Sequence, residues 1–218
     1  MRRYPLYFLL ALGLLWLALT AAVHGWSLHQ PYYNYKMEAN AIDRVTGRSL
    51  EELETITQDL RKYLWDGEEG RLSPYFSGDE VAHMLDVYGL FHLMREVAAL
   101  AGLVVLLLGF YGISSLGLRT LARGVGRSSW LILGLLLLLF FIVALDFHRA
   151  FFAFHRIFFT NDLWLMDPNT DLMIQMLPEN FFSDLALRIA LTFALACGLI
   201  AALGFLPKGR GSGQEGYQ

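Results

Sequence analysis

Two short stretches carry side chains able to move protons. In "FSGDEVAHMLDV", residues 76–87, His83 has Asp79 four residues before it and Asp86 three after it. On a helix both carboxylates share the histidine's face, where such a partner can hold one ring nitrogen and leave the other free. In "AFHRIFFTNDLW", residues 153–164, His155, Arg156, Asn161 and Asp162 stand among phenylalanines and Trp164. Histidine can act as a base and then an acid near neutral pH. Asn161 and Asp162 beside Trp164 make a polar pair able to orient a neighbouring histidine, although such residues also cap turns readily. A lone histidine of this kind is ordinarily structural. Two of them, each among polar groups at the end of an apolar run, point to acid–base chemistry.

Other chemistries find less support. There is no HExxH, no cysteine cluster and no tight His-x-x-His pair, so no metal is expected. Ser77 is better explained as a helix cap than as a nucleophile, and no GxSxG surrounds it. Arg95, Arg149 and Arg156 suit headgroup anchoring or contact with lipid phosphate. The single cysteine, Cys197, cannot form an intramolecular disulfide and reads as a small packing residue.

The elements that must position these groups are set by composition. The chain has 218 residues, 56% of them hydrophobic, more than a soluble domain of this length carries. Segments 5–23, 97–118, 129–145 and 189–206 have the length and purity to cross a bilayer, which takes roughly 17 to 25 mostly apolar residues. Arg2 and Arg3 precede the first; Arg119, Arg123 and Arg127 fill the link between the second and third; Lys208 and Arg210 follow the fourth. Only Glu215 is acidic among these segments. The positive-inside rule therefore puts both termini and the link in the cytoplasm. Segments 24–96 and 146–188 then face outward and hold nearly all the acids and all six histidines. The first span also has the parts of a cleaved signal peptide, but its apolar run is longer than a typical signal core, so it reads as retained.

The fold class expected is all-α: a polytopic membrane protein with four transmembrane helices and a helical extracytoplasmic cap, residues 1–208 forming one membrane domain. A capping box at Ser49 and Glu52 opens an amphipathic helix with Leu50, Leu53, Ile56, Leu60 and Leu64 at helical spacing, able to lie on the membrane or pack on the bundle. A second, Ser77 and Glu80, opens a helix that runs into the second span, with a possible bend at Gly89. The helical pattern of the third span continues past the hydrocarbon edge and puts His148 and His155, seven apart, on one face. "NTDLMIQMLPENFF", punctuated by Pro168 and Pro178, is too short to span and reads as an interfacial or re-entrant turn. The glycine-rich tail 209–218 reads as disordered and cytoplasmic.

The same residues carry a resemblance. "FSGDEVAHMLDV", followed by "FHRIFFTNDLWLMDPNTDLMIQMLPENFFSD" at 154–184, resembles the bacterial lipoprotein intramolecular transacylase family, Lit, as does the four-span layout. The resemblance implies a cytoplasmic-membrane enzyme that moves the sn-2 acyl chain of a lipoprotein's diacylglyceryl cysteine to that cysteine's own α-amino group, giving the lyso form. It implies two catalytic histidines, His83 and His155. It implies no cofactor, and as partners the lipidated N-terminal cysteine of bacterial lipoproteins and membrane lipids, with no nucleic acid. Asp79, Asp86, Arg156, Asn161, Asp162 and Trp164 are then candidates for positioning substrate or histidines. His83 is the first choice for the base and His155 for the second acid–base group or oxyanion stabiliser, with the reverse assignment left open. Two rivals stay open: a non-enzymatic membrane subunit binding an extracytoplasmic protein, and a metal-dependent intramembrane hydrolase.

Overall fold

The computed structural model describes residues 3–68 and 70–207; Arg2, Lys208, Arg210, Glu215 and the tail 209–218 lie outside them. The described elements are helical: α1 (Tyr4–Ser27), α2 (Gln30–Ala39), α3 (Ile42–Thr46), α4 (Leu50–Asp66), α5 (Gly78–Leu116), α6 (Leu118–Leu145), α7 (Phe147–Phe158), α8 (Leu172–Met176) and α9 (Glu179–Ala202), the last continued by a 3₁₀ turn, Leu203–Phe205. Among them α1, α5, α6 and α9 with its 3₁₀ turn are long and apolar enough to cross a membrane.

Three features differ from the sequence reading. Arg119, Arg123 and Arg127 do not form a loop: α6 begins at Leu118, and their four-residue spacing puts them on one helix face, where Arg123 Nε donates to the Leu206 carbonyl at 2.7 Å. The turn between α5 and α6 is reduced to Gly117, at φ 77°, a left-handed conformation that glycine adopts without a Cβ penalty. The third span does not continue into the histidine-bearing stretch. Asp146 breaks it at φ −152° and caps a new helix, its carboxylate accepting from the Arg149 N–H at 3.0 Å. By contrast Gly89 lies inside the unbroken α5. The 39 residues of α5 reach about 58 Å at 1.5 Å each, well beyond a hydrocarbon core of about 30 Å. Its polar first turns, including His83, therefore extend outside the apolar stretch 97–118.

The described chain falls into two compact units, and each of the four long helices contributes to both. Among the described residues, the first comprises 3–19, 98–139 and 192–207. There Tyr7, Leu10 and Ala11 of α1 bury themselves against Leu121 and Val125 of α6, while leucines such as Leu106, Leu131 and Leu138 are exposed, as helix faces turned to lipid are.

The second unit, 20–97 and 140–191, has a larger core. Ser49 caps α4 by accepting from the Glu52 N–H at 3.2 Å, and the helical periodicity behind it buries Leu53, Ile56, Leu60 and Leu64, with Leu50 left exposed. That apolar stripe packs on α2, whose Tyr32, Tyr33 and Met37 join the same core with Met173, Met176 and Phe181. So the amphipathic helix packs inward. Gly67 ends α4 at φ 67°, and a Cβ there would collide with the Tyr88 ring. The Tyr32 hydroxyl donates to the Phe181 carbonyl at 2.7 Å, and the Lys36 ammonium pairs with Asp184, so α2 is tied to α9.

Candidate active site

His83 and His155 meet inside the second unit. Their rings are stacked, with centroids 6.0 Å apart and planes 27° off parallel. Both are buried, His83 at 7% exposure and His155 at 8%, so each imidazole has given up most of its water. His83 stands on α5 one turn past the capping box, in which Ser77 Oγ accepts from the Glu80 N–H at 3.4 Å and Glu80 Oε2 accepts from the Ser77 N–H at 2.7 Å. The other oxygen of Glu80 accepts from the Met173 N–H at 2.7 Å, so one buried carboxylate fixes the start of α5 and the first turn of α8.

The two rings are held differently. His155 Nδ1 lies 2.7 Å from the Phe151 carbonyl one turn earlier on α7. A carbonyl only accepts, so Nδ1 carries the proton and the neutral ring presents a bare Nε2. The ring packs against Phe151 and Trp164, with ring centroids 4.2 and 4.9 Å away. His83 packs against Phe159 at 5.0 Å, and its Nδ1 is buried without a hydrogen-bond partner among the described residues. A buried polar atom without a partner is costly and uncommon.

Burial decides the charge state of the pair. Desolvation, then the neighbouring His155 charge, pull the His83 imidazole down to about 4, against a smaller upward pull from Asp86. Desolvation also lowers His155, partly offset by its bond to the Phe151 carbonyl. Both rings are neutral at pH 7, the form in which histidine accepts a proton.

The carboxylates do not sit as their spacing suggests. Asp86 accepts from Asn161 Nδ2 at 2.8 Å instead of holding a His83 nitrogen; Asp79 is exposed at the helix start. Asp79, Glu80, Asn161, Asp162, Met166 and Asp171 line a cavity of about 320 Å³, and neither histidine is among its lining residues. Asp162 and Arg156 are exposed, and Arg156 has no ion pair among the described residues. Trp164 and Asn161 are joined, the indole Nε1 donating to the Asn161 carbonyl at 2.9 Å.

The remaining histidines lie apart from the pair. His148 shares α7 with His155, yet its Nδ1 donates to Glu179 at 2.7 Å and its side chain is 64% exposed. His24 bonds the Thr20 carbonyl, His29 packs on Trp26, and His92 faces Glu96. Among the described residues no three His, Cys, Asp or Glu side chains converge as a metal site would require. Sequence reasoning missed the Phe151 carbonyl, although its position four residues before a helical histidine is the spacing that allows such a bond. It also missed the bond from Glu80 to Met173, for which a local pattern gives no signal.

Comparison with known proteins identifies the family. The family model "Lipoprotein intramolecular transacylase Lit" matches residues 8–182. Among solved structures, that of the membrane integral lipoprotein intramolecular transacylase Lit from Bacillus cereus superposes with a TM-score of 0.80 at 21% identity, covering 91% of this chain and 92% of that one. Variants of the Bacillus cereus protein with one histidine replaced by arginine or by alanine each give a TM-score of 0.76 at 21% identity. They cover 91% of this chain and 88% and 90% of their own. A comparison with curated protein sequences finds no significant match. The family match spans most of the chain and both histidine-bearing stretches, so the protein belongs to the lipoprotein intramolecular transacylase family and is a membrane acyltransferase.

Proposed function

We propose that the His83–His155 pair moves the sn-2 acyl chain of a diacylglyceryl-modified N-terminal cysteine to the α-amino group of that same cysteine. The observation that carries this reading is the stacked, buried, neutral pair, one ring with a bare Nε2 and the other with an unpartnered Nδ1.

The reaction needs a base, an oxyanion partner and positioning. A neutral α-amine attacks the ester carbonyl carbon, and its extra proton passes to a histidine. The bond from that carbon to the glyceryl O2 then breaks, the proton goes to the departing alkoxide, and an amide and a free hydroxyl remain. Ester and amine become amide and alcohol with no water and no co-reactant. The fixed tautomer supports His155 as the base, the second of the two assignments left open by the sequence. The Phe151 carbonyl favours a protonated His155 ring, whereas the buried His83 Nδ1 has no such acceptor among the described residues. A neutral His83 donates an N–H to the developing oxyanion. Donor and acceptor share one molecule, so much of the barrier is removed by holding them in register.

The charge pattern supports a site at the extracytoplasmic face, with both termini in the cytoplasm. Arg119, Arg123 and Arg127 occupy the first turns of α6, opposite in sequence from the histidine-bearing ends of α5 and α7. A lipoprotein anchored in the outer leaflet presents its ester at that level.

The test uses the purified full chain in lipid with two diacylglyceryl-cysteinyl peptides of different sequence, one carrying deuterated acyl chains. Mass spectrometry is expected to find N-acyl, S-monoacyl products in which each label stays on its own peptide. Label exchanged between peptides, or free fatty acid in place of amide, would overturn the intramolecular reading.

A further inference from the structure

Asn161 is bonded to the neighbours of both histidines. Its Nδ2 donates to Asp86 Oδ2 at 2.8 Å, its Oδ1 accepts from the Leu163 N–H at 3.1 Å, and its carbonyl accepts from Trp164 Nε1 at 2.9 Å. Asp86 lies three residues past His83 on α5, and its charge acts on that ring. The Trp164 ring covers His155 with centroids 4.9 Å apart and planes 32° off parallel. The two histidines stand on different helices, α5 and α7, and are far apart in sequence, so their spacing depends on a cross-link of this kind.

We propose that Asn161 is a positioning residue that sets the separation of His83 and His155 by tying Asp86 to the turn that carries Trp164; this rests on the transacylase reading of the site. The geometry uses both ends of the asparagine amide. One end must donate to a carboxylate while the other accepts a backbone N–H, and both groups sit on a short side chain. Aspartate keeps the acceptor and turns the donor into a second carboxylate facing Asp86, so the link becomes a repulsion. Leucine has a similar shape and offers neither bond.

The donor and acceptor can be exchanged, and that separates positioning from general damage. Steady-state kinetics on a diacylglyceryl-cysteinyl peptide would compare the native full chain with Asn161→Asp, Asp86→Asn and the double exchange carrying both. Asn161→Asp is expected to lose at least ~10-fold in kcat with KM changed by less than about two-fold, as for a catalytic pair held out of register, whereas Asp86→Asn, whose amide oxygen still accepts from Asn161 Nδ2, is expected to lose less. The double exchange, in which the amide at 86 donates to the carboxylate at 161, is expected to recover most of the loss. Trp164→Phe, which keeps a ring over His155 and removes the indole N–H, is expected to fall between native and Asn161→Asp. Asn161→Asp with native kcat, a loss seen in KM alone, or a double exchange no better than Asn161→Asp would overturn the proposal. A native chain that makes no N-acyl product overturns the transacylase reading itself, and this inference with it.

Discussion

At the scale of single residues, the two histidines are not equivalent. His155 has its proton fixed on Nδ1 by the Phe151 carbonyl, whereas His83 has a buried Nδ1 with no partner among the described residues. Glutamine offers an N–H donor but no basic nitrogen. His83→Gln is therefore expected to keep more transacylase activity than His83→Ala, by about ten-fold, the scale of one oxyanion donor partly replaced. His155→Gln should be no better than His155→Ala, since neither side chain takes a proton. Initial rates on a diacylglyceryl-cysteinyl peptide decide this, and equal activity of the two His83 variants would remove the donor role. Histidine ring resonances followed by NMR in micelles give a second check. Those that disappear in His83→Gln and His155→Gln are expected to titrate below 6.5, because desolvation lowers both. Midpoints at or above 6.5 would show that the rings are not buried.

At the scale of elements, the site depends on short helices and their caps. Glu80 is 3% exposed and closes two backbone N–H groups, those of Ser77 and Met173. Glu80→Ala leaves both without their acceptor and is expected to destabilise the protein by about 3 kcal/mol, read as a lower unfolding midpoint in detergent. Ser77→Ala, which removes one longer bond of 3.4 Å, is expected to cost about 1 kcal/mol. Equal effects would mean that the bond to α8 contributes nothing. The local half of this arrangement was legible in the sequence. The spacing of Ser77 and Glu80, like that of Ser49 and Glu52, states a helix start because a capping box is made by neighbours. The apolar period of α4 likewise named its buried face, apart from Leu50. What was not legible came from competition. Asp146 is compatible with a helix interior or a cap, and the chain uses it as a cap, which turns one long helix into α6 and α7. Asp86 had the right spacing for His83, but the amide of Asn161, brought in from far along the chain, takes its oxygen.

At the scale of the whole molecule, the histidine pair couples stability to pH. An unfolded imidazole titrates near 6.5, whereas folded His83 is pulled down to about 4 and folded His155 is lowered as well. Between these values the unfolded chain binds more protons, so this contribution to stability is fully present above about 6.5 and is lost as pH falls toward 4. Unfolding midpoints measured across that window are expected to drop with acidification, and the drop should be shallower in the double variant His83→Gln/His155→Gln. An unchanged slope in the double variant would assign the acid sensitivity elsewhere. The four apolar helices were readable because a bilayer demands long runs of one character. Which outer residues meet is set by packing among α2, α4, α5, α7 and α9, and helical spacing within any one of them does not encode it.

In the proposed reaction the stacked histidines carry out transacylation on a lipoprotein's own N-terminus. The most direct test is mass spectrometry of the N-terminal peptide of a reporter lipoprotein from cells making the native protein, His83→Ala, His155→Ala or none, with expression of each confirmed. The expected result is an N-acyl, S-monoacyl cysteine with the native chain and an unchanged diacylglyceryl cysteine in the other three strains. The same N-acyl, S-monoacyl product in either histidine variant at native abundance would contradict the claim.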